Sequence, residues 1–132
     1  MATINKSTET KKQTIIGTGE EDLITGSAFA DTIRGNGGND VIIAGAGNDI
    51  VYGGNGNDSI AGDAGNDIIY GDAGEDRLSG GLGADRLFGG DIGAYNDRLH
   101  HNCSNKTGCT SQWEVANTKS STLHFALLKV EP

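Results

Sequence analysis

The sequence is poor in the residues that build an ordinary hydrophobic core. Aromatic residues make up 5% of its 132 residues, and it contains one proline, one methionine and one tryptophan. Glycine is abundant instead, with 22 residues, of which 18 lie between positions 17 and 88. Glycine loses the most backbone entropy on folding and has no side chain to bury. We therefore expect something besides apolar burial to stabilise the fold.

Basic residues are scarce where acidic residues are dense. Segment 17–88 carries 13 acidic residues against three basic ones, whereas segment 1–16 carries +2 and segment 89–132 is neutral. Binding to a nucleic acid backbone needs clustered lysine and arginine, so nucleic acid is excluded as a partner of this block. The acidity predicts a cationic partner.

Long apolar runs are also missing. No stretch approaches the roughly 20 apolar residues of a membrane span, so no transmembrane segment is expected. The N-terminus has lysines but no apolar segment typical of a cleavable secretory signal. The sequence contains two cysteines, Cys103 and Cys109, whose close spacing fits either a small disulfide loop or two free thiols.

Segment 17–88 is a nine-residue pattern repeated eight times. We number its positions from slot 1, which is Gly17 in the first repeat, to slot 9. Slot 6 is always aspartate: Asp22, Asp31, Asp40, Asp49, Asp58, Asp67, Asp76 and Asp85. Slot 8 is always aliphatic: Ile24, Ile33, Ile42, Val51, Ile60, Ile69, Leu78 and Leu87. A fixed period with chemically distinct slots indicates one small unit stacked on itself.

The pattern predicts an all-β architecture of stacked coils. Six residues of each repeat carry turn chemistry, and the other three form a short strand whose middle, aliphatic side chain faces inward. Helix is excluded, because the apolar period is nine rather than 3.6. Two turns and two strands close a coil of two nine-residue repeats, so eight repeats form about four coils. Odd repeats then form one parallel sheet and even repeats the other.

The flanking segments divide the rest of the chain. Residues 1–16 are interpreted as a loose leader ending in a cap strand, and residues 100–132 as a polar loop followed by a cap segment. Residues 89–99 form a degenerate ninth repeat, because Asp97 follows Asp85 by twelve positions instead of nine. The first two repeats are predicted to be end caps, since Glu20 and Phe29 replace the slot-4 glycine of the next six.

The stacking predicts metal sites. Turns that are two repeats apart in sequence lie one strand spacing apart, so the aspartates form two columns whose carboxylates repel one another unless a cation intervenes. The glycine-rich turns point backbone carbonyls into the same gaps. Carboxylate and carbonyl oxygens without imidazole or thiolate are the ligands of a hard cation, and Ca²⁺ takes 6–8 of them. The carbonyl candidates are Gly35, Gly37, Gly53, Asn55, Gly62, Ala64, Gly71, Ala73, Gly80 and Leu82.

One segment carries a family resemblance. Residues Gly53-Gly54-Asn55-Gly56-Asn57-Asp58-Ser59-Ile60-Ala61 resemble the nonapeptide of the RTX, or haemolysin-type, calcium-binding repeats. The resemblance covers residues 17–88. It implies a right-handed parallel β-roll, several calcium ions held between successive turns, and export by a type I secretion route. It also implies a chain that folds when it meets calcium outside the cell.

The predicted sites are unequal. Those whose turns both carry the slot-4 glycine are expected to be the four firm ones: Asp40 with Asp58, Asp58 with Asp76, Asp49 with Asp67, and Asp67 with Asp85. Those that involve Asp22, Asp31 and Asp97 are weaker and raise the total to about seven. Asp63 and Asp72, in the variable slot 2, are expected to face solvent.

Several roles remain open for the folded roll. No nucleophile and base pair with supporting spacing is present, so we expect no enzymatic activity of the chain itself. It is either a secreted protein or module of a larger RTX protein, a non-catalytic accessory module of a secreted protease, lipase or polysaccharide epimerase, or an adhesion protein that binds a glycan or cell surface. An apolar stripe is expected on one sheet, formed by Ile50, Tyr52, Ile68, Tyr70 and Phe88. It is either a surface that contacts a partner or orders a ligand, or a surface that the segment Leu123 to Leu128 covers, and cover by this segment is favoured.

Overall fold

A computed structural model describes residues 1–90 and the strand backbones of 98–100 and 112–113. Within these residues every regular element is a β-strand, and none is a helix of a length and apolarity that could cross a membrane. The strands are β1 (Ala2–Asn5), β2 (Thr14–Ile16), β3 (Asp22–Thr25), β4 (Thr32–Gly37), β5 (Val41–Ala46), β6 (Ile50–Asn55), β7 (Ser59–Ala64), β8 (Ile68–Ala73), β9 (Arg77–Ser79), β10 (Arg86–Phe88), β11 (Arg98–His100) and β12 (Gln112–Trp113).

Successive strands alternate between two parallel sheets. One sheet has the order β1-β3-β5-β7-β9-β11, and the other has the order β12-β10-β8-β6-β4-β2. Neighbouring strands of the repeats pair with an offset of two repeats, as in Ile42 opposite Ile60 and Ile33 opposite Val51. The prediction of a parallel roll with odd and even repeats in separate sheets is confirmed.

The pairing of β11 accommodates the insertion in the ninth repeat. Arg98 lies opposite Arg77, so the offset between these paired strands is three positions longer than the two-repeat offset found elsewhere. A strand therefore re-enters the register after the inserted residues. The turn that contains Asp97 lies outside the described residues.

The N-terminal segment contributes more than the single cap strand that was predicted. It forms both β1 and β2, which pair with β3 and β4 and add one coil ahead of the repeats. Ile15 is buried, and Ile4 packs against the core. The segment has alternating apolar positions but no slot-6 aspartate, which is why the nine-residue pattern did not reveal the extra coil.

The core is a single file of aliphatic side chains between the sheets. All eight slot-8 residues are buried, with at most 2% of their surface exposed, so their predicted inward orientation is confirmed. Burial of each side chain contributes roughly 2 kcal/mol. This core is only one residue thick. Most of the other buried side chains are carboxylates, because every slot-6 aspartate is also at most 2% exposed.

The strands are longer than the three residues predicted for them. β4 to β8 each span six residues, and their pairing continues into the turn, as in Gly45 opposite Asp63. Successive residues of these longer strands continue to alternate between the inner and outer face. Slot 1 therefore points into the roll, and it is buried in all five strands from β4 to β8. The turn sequence masked this alternation, because its inward position holds glycine or alanine instead of a large apolar side chain.

Left-handed backbone at slots 2 and 4 lets the coils stack closely. At slot 4, Gly65 has a φ of +139°, and a Cβ there would collide with the Gly47 carbonyl oxygen of the preceding coil. We expect Gly65→Ala to lower the free energy of unfolding of the calcium-loaded protein by about 1–3 kcal/mol, because the strained backbone and the collision add. Thermal unfolding in calcium measures this change.

Gly19→Ala is the matched control for that substitution. A Cβ at Gly19 meets nothing within 4 Å, and its backbone is not left-handed. It should leave the free energy of unfolding within about 0.5 kcal/mol of the parent. Equal effects of the two substitutions would contradict the stacking explanation.

The outer face of the sheet β2-β4-β6-β8-β10 carries the predicted apolar stripe. Tyr52 and Tyr70 stack with ring centroids 5.0 Å apart, and Tyr70 and Phe88 stack at 4.8 Å. The Arg34 guanidinium lies 4.6 Å from the ring centroid of Tyr52. The Arg86 guanidinium lies 5.4 Å from the ring centroid of Phe88. The segment Leu123 to Leu128 and both cysteines lie outside the described residues.

Candidate metal sites

The aspartates form two continuous columns, one on each edge of the roll. In each column the Oδ1 atom of one aspartate accepts a hydrogen bond from the backbone N–H of the aspartate one coil earlier. Asp58 Oδ1 accepts from Asp40 N at 2.8 Å, and Asp67 Oδ1 accepts from Asp49 N at 2.9 Å. The same link recurs at 2.7–2.9 Å in the other stacked pairs from Asp22 to Asp85. The two-repeat step of the sequence therefore brings the carboxylates together as predicted.

The second carboxylate oxygen has no protein donor in the middle of the roll. The Oδ2 atoms of four buried aspartates have no hydrogen bond partner among the described residues: Asp40, Asp49, Asp58 and Asp67. No lysine, arginine or histidine nitrogen of the described part of the chain lies within 4.0 Å of these four carboxylates. Because a buried polar atom without a partner is costly, each of these oxygens requires a cation or a donor that the described residues do not supply.

These oxygens face the next coil. A Cβ at Gly53 would collide with Asp58 Oδ2 and lie 2.7 Å from the Gly71 carbonyl oxygen. A Cβ at Gly62 would likewise collide with Asp67 Oδ2 and lie 2.6 Å from the Gly80 carbonyl oxygen. The gap between two stacked turns therefore brings together a carboxylate oxygen of one turn and the slot-1 carbonyl of the next, and slot 1 is glycine because a side chain would fill the gap.

The slot-1 and slot-3 carbonyls differ in their contacts. The slot-1 carbonyls of Gly53, Gly71 and Gly80 line these gaps, and Gly35 occupies the same slot one coil before Gly53. At slot 3, the carbonyls of Ala64, Ala73 and Leu82 each accept a backbone hydrogen bond of 2.8 Å from a slot-4 glycine of the preceding coil. Gly37 and Asn55 are paired in the same register at slot 3. The slot-1 carbonyls are thus the more available of the predicted carbonyl ligands.

Ala44 is a departure from the slot-1 glycine. It is fully buried and belongs to the turn that leads to Asp49. Its methyl group occupies the position that a glycine leaves open in the neighbouring turns. The gap between Asp49 and Asp67 therefore contains a methyl group that the neighbouring gaps lack, a difference that the sequence shows once slot 1 is known to face inward.

Burial raises the pKa values of the partnerless carboxyls. The pKa of Asp49 and that of Asp58 are each raised to about 6, the pKa of Asp67 is raised to about 7, and that of Asp40 is also raised. Loss of hydration is the largest cause in all four cases, and repulsion from a neighbouring carboxylate is a smaller one. The sequence argument named repulsion alone, so the structure changes the order of the causes.

The first two repeats satisfy their aspartates differently. Asp22 Oδ2 accepts hydrogen bonds from Thr18 N at 2.6 Å and Thr18 Oγ1 at 2.9 Å. Asp31 Oδ2 accepts from Ser27 N at 2.7 Å and Ser27 Oγ at 2.8 Å. The Thr18 amide is the main reason that the pKa of Asp22 lies below its ordinary value. The slot-4 residues alone suggested that these turns are atypical, and the slot-2 hydroxyls went unnoticed.

An asparagine ladder at slot 5 was also missed. Asn39 Oδ1 accepts from Asn57 N at 2.8 Å, and Asn57 Oδ1 accepts from Glu75 N at 3.0 Å. Asn48 and Asn66 make the equivalent links on the other edge. The recurrence of asparagine at slot 5 of four consecutive repeats is the signal that identifies it. These bonds fix the spacing of the turns beside the aspartates.

Asp63 and Asp72 lie outside the gaps. Both are exposed at slot 2 in the left-handed conformation, each with a φ of 73°. Their predicted solvent exposure is confirmed. Each still adds negative charge close to a column, since Asp72 raises the pKa of Asp58 and Asp63 raises that of Asp67.

The described residues contain no group of three or more histidine, cysteine, aspartate or glutamate side chains that could hold a metal ion. The donors that the gaps do offer are carboxylate and carbonyl oxygens from two turns one coil apart. This donor set suits a hard cation with a high coordination number.

Comparison with known families identifies this arrangement. The family model described as the RTX calcium-binding nonapeptide repeat, in four copies, matches residues 16–51 and again residues 52–87, which together exceed half of the chain. The chain belongs to this RTX family. Its repeats are calcium-binding repeats, and repeats of this type are typical of secreted proteins. No curated protein and no solved structure matches the chain.

Proposed function

We propose that this RTX chain folds around calcium ions held between turns one coil apart. The observation that carries the proposal is the set of partnerless Oδ2 atoms of Asp40, Asp49, Asp58 and Asp67. Each faces a gap that also contains Oδ1 of the next aspartate in its column and a slot-1 carbonyl. Two aspartates per ion give local neutrality, which the four carboxylates otherwise lack.

The ligand assignment follows from the same geometry. The four gaps that begin at these Oδ2 atoms lie between Asp40 and Asp58, Asp49 and Asp67, Asp58 and Asp76, and Asp67 and Asp85. We assign one calcium ion to each of them, with the slot-1 carbonyls as further ligands and the slot-3 carbonyls of Gly37, Asn55, Ala64, Ala73 and Leu82 as secondary candidates. The further site that the sequence predicts between Asp76 and Asp97 falls outside the described residues.

Coupling to folding follows from the thin core and the shared sites. Each gap is formed by two turns that are two repeats apart in sequence, so it does not exist in the unfolded chain and calcium binding contributes directly to folding. Extracellular calcium modules work at dissociation constants of about 10⁻⁴–10⁻³ M. Membership of the RTX family supports a protein that folds outside the cell, after export by a type I route. So does the lack of a lysine, arginine or histidine partner for Asp40, Asp49, Asp58 and Asp67 among the described residues.

A calcium titration tests the proposal. Far-ultraviolet circular dichroism and equilibrium dialysis would follow β content and bound ions at neutral pH, in the full chain and in a chain truncated after residue 99. We expect little β signal in excess chelator, a cooperative gain on adding calcium, and at least four ions bound in both chains. Magnesium at the same concentration should not replace calcium, because it keeps its water shell. Persistent β structure in excess chelator at neutral pH would overturn the folding switch.

A second candidate role is that of an accessory or adhesion module. The partly exposed stack of Tyr52, Tyr70 and Phe88, with arginines at both ends, favours a surface that contacts a glycan, a cell surface or a fused catalytic domain. Binding of the calcium-loaded chain to glycans or cells that is lost in Tyr70→Ala would support it. Unchanged binding in that variant would assign the contact to another surface.

A further inference from the structure

We propose that Thr18 and Ser27 set where the calcium ladder begins, because their amides and hydroxyls satisfy the carboxylate oxygens that calcium takes in the later turns. The inference rests on the proposed calcium sites and adds the residues that decide which turns take part. It assigns no ion to the gap between Asp22 and Asp40 or to the gap between Asp31 and Asp49.

The relevant oxygen is the same one in every turn. A Cβ at Gly17 would lie 2.8 Å from Asp22 Oδ2 and 2.5 Å from the Gly35 carbonyl oxygen. This is the arrangement found at Gly53, where the carboxylate oxygen is Asp58 Oδ2 and the carbonyl is that of Gly71. The first turn therefore has the carboxylate and carbonyl of a calcium gap, in the same relative positions.

What differs is the donor at slot 2. Thr18 donates both its N–H and its hydroxyl to Asp22 Oδ2, and Ser27 does the same for Asp31 Oδ2. The corresponding oxygens of Asp40, Asp49, Asp58 and Asp67 receive no such bond from the described part of the chain. An ion at either of the first two gaps would have to displace two protein donors, whereas an ion at the later gaps displaces none.

The backbone explains why these two turns have such donors. Slot 2 is left-handed in the later turns, with φ values of 80° at Asn36 and 107° at Gly45, and neither N–H bonds to the Oδ2 atom of Asp40 or Asp49. Thr18 and Ser27 do not have positive φ. Serine and threonine side chains characteristically bond to nearby groups in turns of this kind.

The remaining oxygen of each carboxylate is satisfied by the N-terminal coil. Asp22 Oδ1 accepts from Ala2 N at 2.8 Å, and Asp31 Oδ1 accepts from Gln13 N at 2.6 Å. Both carboxylates therefore have all of their oxygens bonded to protein donors. The first coil ends the column with hydrogen bonds, and the ion ladder starts one coil later, at Asp40 and Asp49.

Calcium stoichiometry of full-length variants tests this assignment. Asp22→Asn should bind as many ions as the parent, whereas Asp58→Asn should bind fewer. Thr18→Asn combined with Glu20→Gly gives the first turn the slot-2 and slot-4 residues of turn 35–40, and this pair should add one ion per chain. Glu20→Gly alone should add none, since the Thr18 donors remain. Circular dichroism in calcium confirms that each variant folds.

Three results would overturn the inference. These are the loss of one ion in folded Asp22→Asn, the gain of an ion in Glu20→Gly alone, and no gain in the combined variant. A gain of a site is informative even if other variants fold poorly, because misfolding does not create a site. Failure of the parent chain to bind calcium would instead refute the proposed function, so the two failures are distinguishable.

Discussion

Asp58→Ala is expected to remove two calcium ions from the roll at once. Asp58 lies in the middle of its column, and its two oxygens face different gaps. Oδ1 lies beside the Asp40 amide, in the gap to the preceding turn, and Oδ2 faces the Gly71 carbonyl, in the gap to the following turn. Equilibrium dialysis of the variant should therefore show about two fewer ions per chain than the parent.

The loss in stability should be large. At a free calcium concentration 100 times the dissociation constant, each site that exists only in the folded state contributes about 2.7 kcal/mol. Two lost sites then remove about 5 kcal/mol, which is comparable to the whole stability of many small domains. We expect a substantially higher calcium midpoint in the circular dichroism titration and a less cooperative curve, because the column is interrupted at its centre.

Two further substitutions separate the metal effect from other effects. Asp58→Asn keeps an oxygen that accepts the Asp40 N–H bond while removing the charge, so it isolates the electrostatic contribution. Asp72→Asn removes one charge from an exposed residue beside the same column and keeps a side chain that tolerates the left-handed backbone. It should leave the number of bound ions unchanged. An Asp58→Ala variant with the parental stoichiometry and cooperativity would show that the gaps are not shared.

The fold was predictable because every repeat satisfies the same constraints. An aliphatic residue every nine positions, separated by glycine-rich turns, is compatible with two alternating parallel sheets and little else. Ile42 and Ile60 meet across one sheet and Ile33 and Val51 across the other, as the two-repeat offset requires. The coil formed by β1 and β2 was not predicted, because residues 1–16 contain no slot-6 aspartate and do not show the nine-residue pattern.

The stacking of the candidate aspartates was predictable, but the contacts of their oxygens were not. The spacing placed Asp40 above Asp58, yet it could not show that one oxygen of each carboxylate is taken by a backbone amide. Nor could it show that slot 1 faces inward, so the significance of Ala44 escaped the sequence argument. Glu20 and Phe29 correctly marked the first two turns as different. The physical difference at the carboxylates, however, comes from Thr18 and Ser27.

Loss of hydration, more than mutual repulsion, raises the pKa values of the middle aspartates, and it is the main reason that we expect the proposed ion ladder to depend on a cation. The aspartates of the middle turns lie in a roll with a one-residue core, where they are shielded from water but receive a single protein hydrogen bond per stacked pair. A protein could satisfy these carboxylates with hydroxyl groups, as Thr18 and Ser27 do in the first two repeats. The turns of Asp40, Asp49, Asp58 and Asp67 provide no such donor among the described residues, so we expect their stability to depend on calcium in the medium.

The metal-free chain is expected to gain stability as the pH falls from 7.5 to about 5. In the folded state the pKa values of Asp49 and Asp58 are about 6 and that of Asp67 is about 7, whereas the unfolded value is near 3.8. Below 3.8 these groups are protonated in both states, and the folded state bears no charge penalty from them. As the pH rises through 6 to 7 the folded state must lose these protons, so stability is lost.

Calcium should reverse the direction of this dependence. Bound calcium requires ionised carboxylates, so the loaded protein should lose ions and stability as the pH falls over the same range. Circular dichroism from pH 5 to 7.5 measures both dependences. The β content in chelator reports the pH dependence of the metal-free chain, and urea unfolding in calcium reports that of the calcium-loaded chain. Asp67→Asn should flatten the metal-free slope because it removes the carboxyl with the highest of these pKa values. A metal-free chain that gains structure as the pH rises would contradict the view that buried, partnerless carboxylates oppose folding until calcium neutralises them.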